Sequence, residues 1–502
     1  MPKQSLFWRA VLALVLMVGF YLMALGLAAG LLYIPYAEVK YAHHLHAKLL
    51  LICGGAAAVI LWSVLPRFDR FSAPGLLLSA AAQPRLFELI RELSAATGQP
   101  MPKEVYLVAD MNAFVTQRGG LMGVGSHRVM GIGLPVMQAL SVAELRAVVA
   151  HEFGHFHGGD VQLGPWIYKT RAAIVRTIMS LGQQGSLLQK PFVWYGEMFI
   201  KITQAISRRQ ELAADALAAR TVGARPLAGG LKRTHAAALA YDMYWHEDVV
   251  PALSSGWRPP LAAGFAQFLG AKRAQTIMDK SVAHELEQGK SDPYDTHPSL
   301  RERVEAVAGL PDYVSESARD ERLAVELLVD LAAIEQGLLE FMAADKAQAQ
   351  QLKPIAWTDV VSRIHLPAWR GTAASIAPHL AGCTLAGLPS DRGFRERIGR
   401  NALGERAAEI DADVLAVIGA GRIATVVTLG LVELGFVLDA APGEHVTLTR
   451  GAYAIHPFDM LLDSARAERC IEDLRAACAA AGVMDLDLAE VAQRATQAQS
   501  EV

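Results

Sequence analysis

His151-Glu152-Phe153-Gly154-His155, set within LRAVVAHEFGHFHGGD, is the densest group of chemistry-bearing residues in the chain. On a helix, positions i and i+4 share a face one turn apart, so both imidazoles can bind one tetrahedral zinc ion while Glu152 projects beside the open coordination position. Zinc lowers the pKa of a bound water, and Glu152 is placed to take its proton as the water attacks a peptide carbonyl. Such a site needs a third protein ligand. A histidine six residues beyond His155, after a turn at Gly158, is one solution, but position 161 is Val. A carboxylate from a later helix is the other, and SRRQELAADALAAR (207–220) supplies Glu211, with Asp215 four residues on along the same face. Glu211 then completes the ligand set, and Asp215 accepts a hydrogen bond from a ligating histidine and fixes its tautomer. Alone, ExxxD on a helix is more often a solvated face; beside HExxH the ligand reading is preferred. His157 lies two residues from His155, points to another face and is not expected to coordinate; Asp160 also follows the motif.

The elements that must hold these residues are legible from periodicity. Ser141-Val142-Ala143-Glu144 reads as a capping box opening the HExxH helix. Upstream, residues 82–97 place Leu86, Leu89, Ile90 and Leu93 at helical spacing, and EVYLVAD (104–110) reads as a strand. MNAFVT (111–116) and the Gly-punctuated 121–133 supply two more short strands. Residues 165–206 are apolar but interrupted by charges, and are expected as long helices on a membrane surface, such as 194–205. Helices are expected at 226–246, 263–288 and 298–308.

The chain has 502 residues, is 52% hydrophobic and only 19% charged, and its mean hydropathy of +0.25 excludes disorder and points to membrane contact. Residues 10–37 carry no charged side chain and exceed the roughly 20 residues a spanning helix needs. A second uncharged run covers 49–66. Lys3 and Arg9 precede the first run, and Arg67, Arg70, Arg85 and Arg91 follow the second, so the positive-inside rule makes a hairpin with both flanks cytoplasmic. His43, His44 and His46 in the connecting loop read as interfacial rather than as a metal site. The net charge of −3 gives no global field for a nucleic-acid partner. Four cysteines without a CxxC match a reducing compartment.

MNAFVT, then VMGIGLPVMQALSVAELRAVVAHEFGH, then SRRQELAADALAA, then THPSLRERV, in that order over about residues 80–310, resemble the successive motifs of the HtpX-like and CaaX-prenyl-endopeptidase family of membrane zinc metallopeptidases. The resemblance implies that His151, His155 and Glu211 bind zinc, that Glu152 is the general base and that Asp215 supports a ligand. It implies that Asn112, Ala113 and Phe114 pair with extended substrate, that His297 helps to stabilise the developing oxyanion, and that Arg303 assists. The plain alternatives are Phe114 as core, His297 as a loop cap before Pro298, and Arg303 in a structural ion pair. The family's further spans between HExxH and the third ligand have no clean counterpart here, and a prenylated substrate is not expected.

In the carboxy-terminal part, VLAVIGAGRIATVVTLGLVELGFVLD places Gly419, Gly421 and Ala424 after a strand-like run with Asp439 twenty residues beyond Gly419, a dinucleotide-type fingerprint. Too little chain follows for a complete binding half, so a regulatory or interaction domain is the preferred reading. The expected architecture is mainly α: two N-terminal transmembrane helices (about 10–34 and 49–66) in an anchor of residues 1–70, a zincin-type (gluzincin) metallopeptidase domain with a small sheet over 71–311, a helical connector over 312–353, and a C-terminal α/β domain over 354–502. The expected function is a membrane-anchored zinc metalloendopeptidase of EC 3.4.24 type, with one Zn2+ per chain, protein or peptide substrates and the lipid bilayer as partners, no nucleic acid, and a protein partner open through the C-terminal domain. By the resemblance it sits in a bacterial inner membrane with both termini and the site cytoplasmic, serving membrane protein quality control. A binding or regulatory protein with an inactive or structural zinc site, and a nucleotide-regulated protease, are the alternatives; a closed structural site has no need of Glu152.

Overall fold

The structure, a computed structural model, describes residues 3–65, 72–118, 126–156, 164–182, 188–290, 297–310, 319–343, 345–462 and 469–500. His157, Gly158, Asp160, Val161, the flanking Arg67 and Arg70, the stretch 121–125 and Thr296 lie outside the described residues. The chain is mainly helical with small sheets and divides into two compact units, one of residues 1–236 with 280–342, the other of 237–279 with 343–502.

The first unit opens with α1 (Lys3–Ala37) and α2 (Ala47–Val64), both long and apolar enough to cross a membrane. The loop between them turns at His43, which sits in the left-handed region with φ 52°, and His46 pairs with Glu38. After β1 (Leu76–Leu78) comes α3 (Pro84–Ala96), whose Leu86, Leu89, Ile90 and Leu93 are all buried, as their spacing predicts. β2 (Glu104–Val108), β3 (Ala113–Arg118) and β4 (His127–Gly133) complete a four-stranded sheet in the order β1-β2-β4-β3. β2 and β4 run parallel in its interior, which is why Val105 to Val108 form an unbroken buried run rather than an alternating one. β3 is the edge strand, antiparallel to β4. Phe114 faces Gly131 across that pair, where a Cβ on the glycine would come within 2.4 Å of the ring.

α4 (Leu134–Ala139) leads into α5 (Val142–Gly154), which carries HExxH. Both bonds of the capping box are made: Glu144 N donates to Ser141 Oγ at 3.2 Å, and Ser141 N donates to the Glu144 carboxylate at 2.9 Å. The amides of Val142 and Ala143 donate to Arg322 and Asp320, so the connector is tied to the start of this helix.

α6 (Gly164–Gly182) and α7 (Gln189–Thr221) are the long helices expected over 165–206. They pack against α1 and α2 through Phe20, Ile60, Ile174, Phe192 and Phe199. Tyr195 donates its hydroxyl proton to the Leu16 carbonyl of α1, over Gly19. Two of the charges that interrupt the apolar run are bonded inside this bundle: Arg171 donates to Thr203 Oγ1 at 2.7 Å, and Arg176 to the Ser63 carbonyl at 3.3 Å. α8 (Ala224–Tyr244) follows, its first half belonging to this unit.

The second unit is built on helices Arg392–Leu403 and Ala412–Glu433, with a three-stranded antiparallel sheet of Val437–Asp439, Thr447–Arg450 and Tyr453–Ile455. The strand-like VLAVI is therefore helical, whereas HVTLT does supply a strand, and the α/β domain expected here is a helical core with a small β-meander. Helix Ala412–Glu433 has the length and composition of a membrane span, but most of it is buried in the unit's core with residues such as Ile398, Leu474 and Val491. Gly419 lies mid-helix, where a Cβ would meet the Arg395 carbonyl oxygen at 1.8 Å; at Gly399 it would meet that of Leu415 at 1.9 Å. Gly419 of the fingerprint and Gly399 of the facing helix let the two helices cross in backbone contact. A phosphate-binding turn needs a strand, a loop and a fresh helix N-terminus, and none begins there.

Candidate active site

Along α5, Val148, His151, Glu152 and His155 recur at intervals of three, one and three residues, and all four line one cleft of about 800 Å³. Facing them is α7, which comes close because Gly154 has no side chain: a Cβ there would lie 2.7 Å from the Cα of Ala214. Ala214 sits between Glu211 and Asp215, so this contact presents both carboxylates to the histidines.

Asp215 Oδ1 lies 2.9 Å from His151 Nδ1, which leaves Nε2 turned toward Glu211, whose Oε2 is 3.4 Å away. His155 Nε2 is 3.5 Å from Glu211 Oε1, and His297 Nδ1 is 3.2 Å from Oε2. The two HExxH rings meet edge to face with centroids 4.8 Å apart, and ligand atoms of His151, Glu152 and His155 lie within 4.8 Å of one another. Arg303 donates to both Asp215 oxygens, at 2.9 and 2.7 Å, and its Nη2 reaches 3.4 Å from the His151 ring. It thus acts on the site through Asp215. His297, with its side chain 58% exposed, is the open side of the group.

These residues fit a metal ion. Glu211 Oε2 is buried and, among the described residues, meets no well-aligned hydrogen-bond donor, although two imidazole nitrogens crowd it at 3.2 and 3.4 Å. Two imidazoles and a carboxylate that converge in this way are the N,N,O donor set of a catalytic zinc site.

The charges follow from burial and neighbours. Burial opposes charge on His151, but its bonds to Asp215 and Glu211 outweigh that and raise it to about 9. Burial, with His151 beside it, drives His155 down to about 4. Burial pushes the Glu152 carboxyl up to about 7 against the pull of His151. Glu211 is held well below the usual carboxylate range despite burial, by His151 and His297, and Asp215 is lowered by Arg303 and His151. Two carboxylates of one site are thereby held charged while a third, Glu152, sits near neutrality.

Asn112, Ala113 and Phe114 line the same cleft from β3. The Asn112 carbonyl accepts from Gly133 N at 2.8 Å, so alternation turns the backbone groups of Ala113 and Val115 to the open edge. There the Val115 amide bonds to Glu152. Phe114 also packs on the Tyr106, Val108 and Val129 cluster, so it belongs to sheet and cleft alike. Every site residue expected from the sequence is therefore in this one place. What sequence reasoning missed is a stripe on α8: Leu227, Leu231, Thr234 and His235 line the opposite wall. Their spacing of four, three and one residues was the available signal.

Residues 80–310 match the family model described as Peptidase family M48. A metallopeptidase is the class that this helix pair and donor set fit, and over that segment the chain is similar to peptidase family M48 and to proteases named as HtpX homologs. A protease HtpX homolog of Syntrophobacter fumaroxidans is 33% identical over 112 residues, covering 22% of this chain and 37% of the relative. One of Tropheryma whipplei is 26% identical over 295 residues, covering 57% of this chain and 84% of the relative. A third, of Desulfatibacillum aliphaticivorans, is 26% identical over 243 residues, 45% of this chain and 68% of the relative. The chain thus spans little more than a third of one curated relative and most of another. No solved structure matches it.

Proposed function

We propose that the chain is a membrane-tethered zinc endopeptidase that cleaves extended segments of proteins. The convergence of His151, His155 and Glu211 on one point, with the Glu152 carboxylate beside it, carries this reading. His151, His155 and Glu211 would hold the ion, with Asp215 fixing the His151 tautomer and Arg303 holding Asp215. A zinc ion there supplies a Lewis acid for a peptide carbonyl and makes water more acidic.

The chain's own residues do the rest. Glu152, half-buried on the wall of the cleft, takes a proton from the attacking water at its carboxylate and returns one to the leaving amine. The open edge of β3 at Ala113 binds substrate backbone as an added strand. His297, exposed on the cleft side, donates to the oxyanion as it forms. α1 and α2 tether the site at the cytoplasmic face of a membrane, so that membrane-associated or misfolded proteins are the substrates it meets, and the carboxy-terminal unit serves a regulatory partner.

The test compares the detergent-purified chain with Glu152→Gln. Casein cleavage is expected to fall by about 10²- to 10⁴-fold with bound zinc unchanged. Equal cleavage by both, at equal zinc content, refutes the mechanism.

A further inference from the structure

The stretch that matches the family model ends at residue 310, yet the start of the HExxH helix is bonded to chain that lies beyond it. An α-helix opens with four amides that have no partner in its own backbone. On α5 these are the amides of Ser141, Val142, Ala143 and Glu144. The capping box takes care of the first and the last. The middle two donate to the carbonyls of Arg322 and Asp320, at 2.8 and 3.1 Å. Ala324 N returns the bond, donating to the Leu140 carbonyl at 2.9 Å, so that Ser141 and Leu323 face each other as a one-residue antiparallel bridge. A side chain holds the far end of this segment. Gln83, the 4%-exposed residue before α3, donates from Nε2 to the Val329 carbonyl at 3.0 Å and accepts from Val329 N at 2.7 Å. Its amide group thus makes the pair of bonds that a neighbouring strand would make. Between the two attachments Ala324, Leu327 and Leu328 are buried, and the turn Ala324–Leu327 packs on α4. Asp330, in the left-handed region with φ 54°, ends the segment and caps the following helix through Ala333 N.

Resting on the proposed endopeptidase reading and deepening it, we infer that residues 320–329 are a strap that sets the position of the HExxH helix, and that Gln83 is the positioning residue that locks it. Strap and lock act on the reaction only through α5. His151 stands nine residues along the helix from Val142, about 13 Å at 1.5 Å per residue. Over so short a length a helix transmits a shift of its first turn to its last. Release of the strap leaves the Val142 and Ala143 amides without their acceptors, frays the first turn and lets His151 and Glu152 drift from Asp215 and Glu211. Displacement of this kind costs turnover and metal retention and leaves substrate affinity alone.

The experiment uses the full-length chain in detergent, as wild type, Gln83→Met and Ala324→Pro. Methionine keeps the shape of Gln83 and loses both bonds to Val329. Proline at 324 removes the donor to Leu140 at the first position of a turn, after Leu323 with ψ 137°, where its ring is accepted. Three quantities are read well below the melting temperature: hydrogen exchange across the first turn of α5, zinc affinity by chelator competition, and kcat and KM on a casein peptide at saturating zinc. Both variants are expected to exchange about tenfold faster at Val142 and Ala143. Zinc should bind about tenfold more weakly. The kcat should fall about 10- to 100-fold with KM unchanged. A lower Tm with zinc affinity and α5 exchange as in the wild type is the signature of a merely structural strap and overturns the inference. So does a loss confined to KM. Altered exchange and zinc affinity in a chain whose wild type cleaves nothing refute the endopeptidase reading and leave the strap standing. Should Gln83→Met fail to fold, Ala324→Pro carries the test.

Discussion

Two helices of this chain carry a sequence fingerprint and a glycine pressed against a neighbouring helix, and only one of them makes a reactive site. On α5, Gly154 meets Ala214, and Glu211 and Asp215, three residues before it and one after, are acids that face histidines. In helix Ala412–Glu433, Gly419 meets the Arg395 carbonyl, and the helix buries its own Ile423 and Val427 in a core with Ile398, Leu474 and other apolar side chains. The same backbone device serves both. What differs is the chemistry that the close approach brings together: ligating atoms around Glu211 in one case, close-packed hydrocarbon in the other. A fingerprint gains meaning from its partner helix, not from its own spacing.

That contrast can be broken by substitution, and the largest effect belongs to the crossing with no chemistry. Gly419→Ala drives a Cβ into a backbone carbonyl that cannot yield as a flexible side chain would, and should cost about 3 kcal/mol or more. The carboxy-terminal unit should melt earlier by calorimetry, with zinc content unaltered. Gly154→Ala should cost less in stability, about 1–3 kcal/mol, because α5 can shift from α7. It should, however, weaken zinc binding about 10- to 100-fold in a chelator competition, through displaced carboxylates. Equal zinc affinity in Gly154→Ala and the wild type would show that the α5–α7 contact does not set the site.

A smaller effect concerns Asp248, in the second unit. Its Oδ2 is buried without a hydrogen-bond partner among the described residues, and burial, with Glu247 nearby, raises its carboxyl from 3.8 to about 7. The folded state therefore holds this proton more tightly than the unfolded one. The associated stability is full below about pH 4 and is lost as pH rises toward 7. Asp248→Asn should remove that loss and gain about 1–2 kcal/mol at pH 8, with little change at pH 4, in denaturant titrations. The smallest expected effect is none: millimolar NAD or ATP should not shift the melting of the wild type, because Gly419, Gly421 and Ala424 are inside a helix. A ligand-dependent shift would reinstate the nucleotide reading.

The legible parts of the molecule were those whose signal is local. HExxH and ExxxD could be placed on helices because i and i+4 share a face whatever surrounds them, and the Ser141–Glu144 box needs only its own four residues. The misread parts were those where burial is decided at a distance. VLAVI looked like a strand because a short β-branched apolar run is equally a piece of buried helix. Residues 165–206 looked too charged to be packed away, since neither Thr203 as a partner for Arg171 nor the Ser63 carbonyl as one for Arg176 can be inferred from spacing. The Leu227–Leu231–Thr234 stripe has a helical period, but nothing local says that its face looks into a cleft rather than a core.

Side-chain type and helical period alone thus determined the donor atoms of the centre, the base beside them and the apolar length of the first two helices, because these depend on contacts within one or two turns. The meeting of His151 with Asp215 across 64 positions, the closing of α8 over Val148, and the conversion of a glycine fingerprint into a helix crossing were decided only by the tertiary structure. Close packing, which decides them, is a property of pairs of surfaces, and a sequence displays those surfaces one at a time.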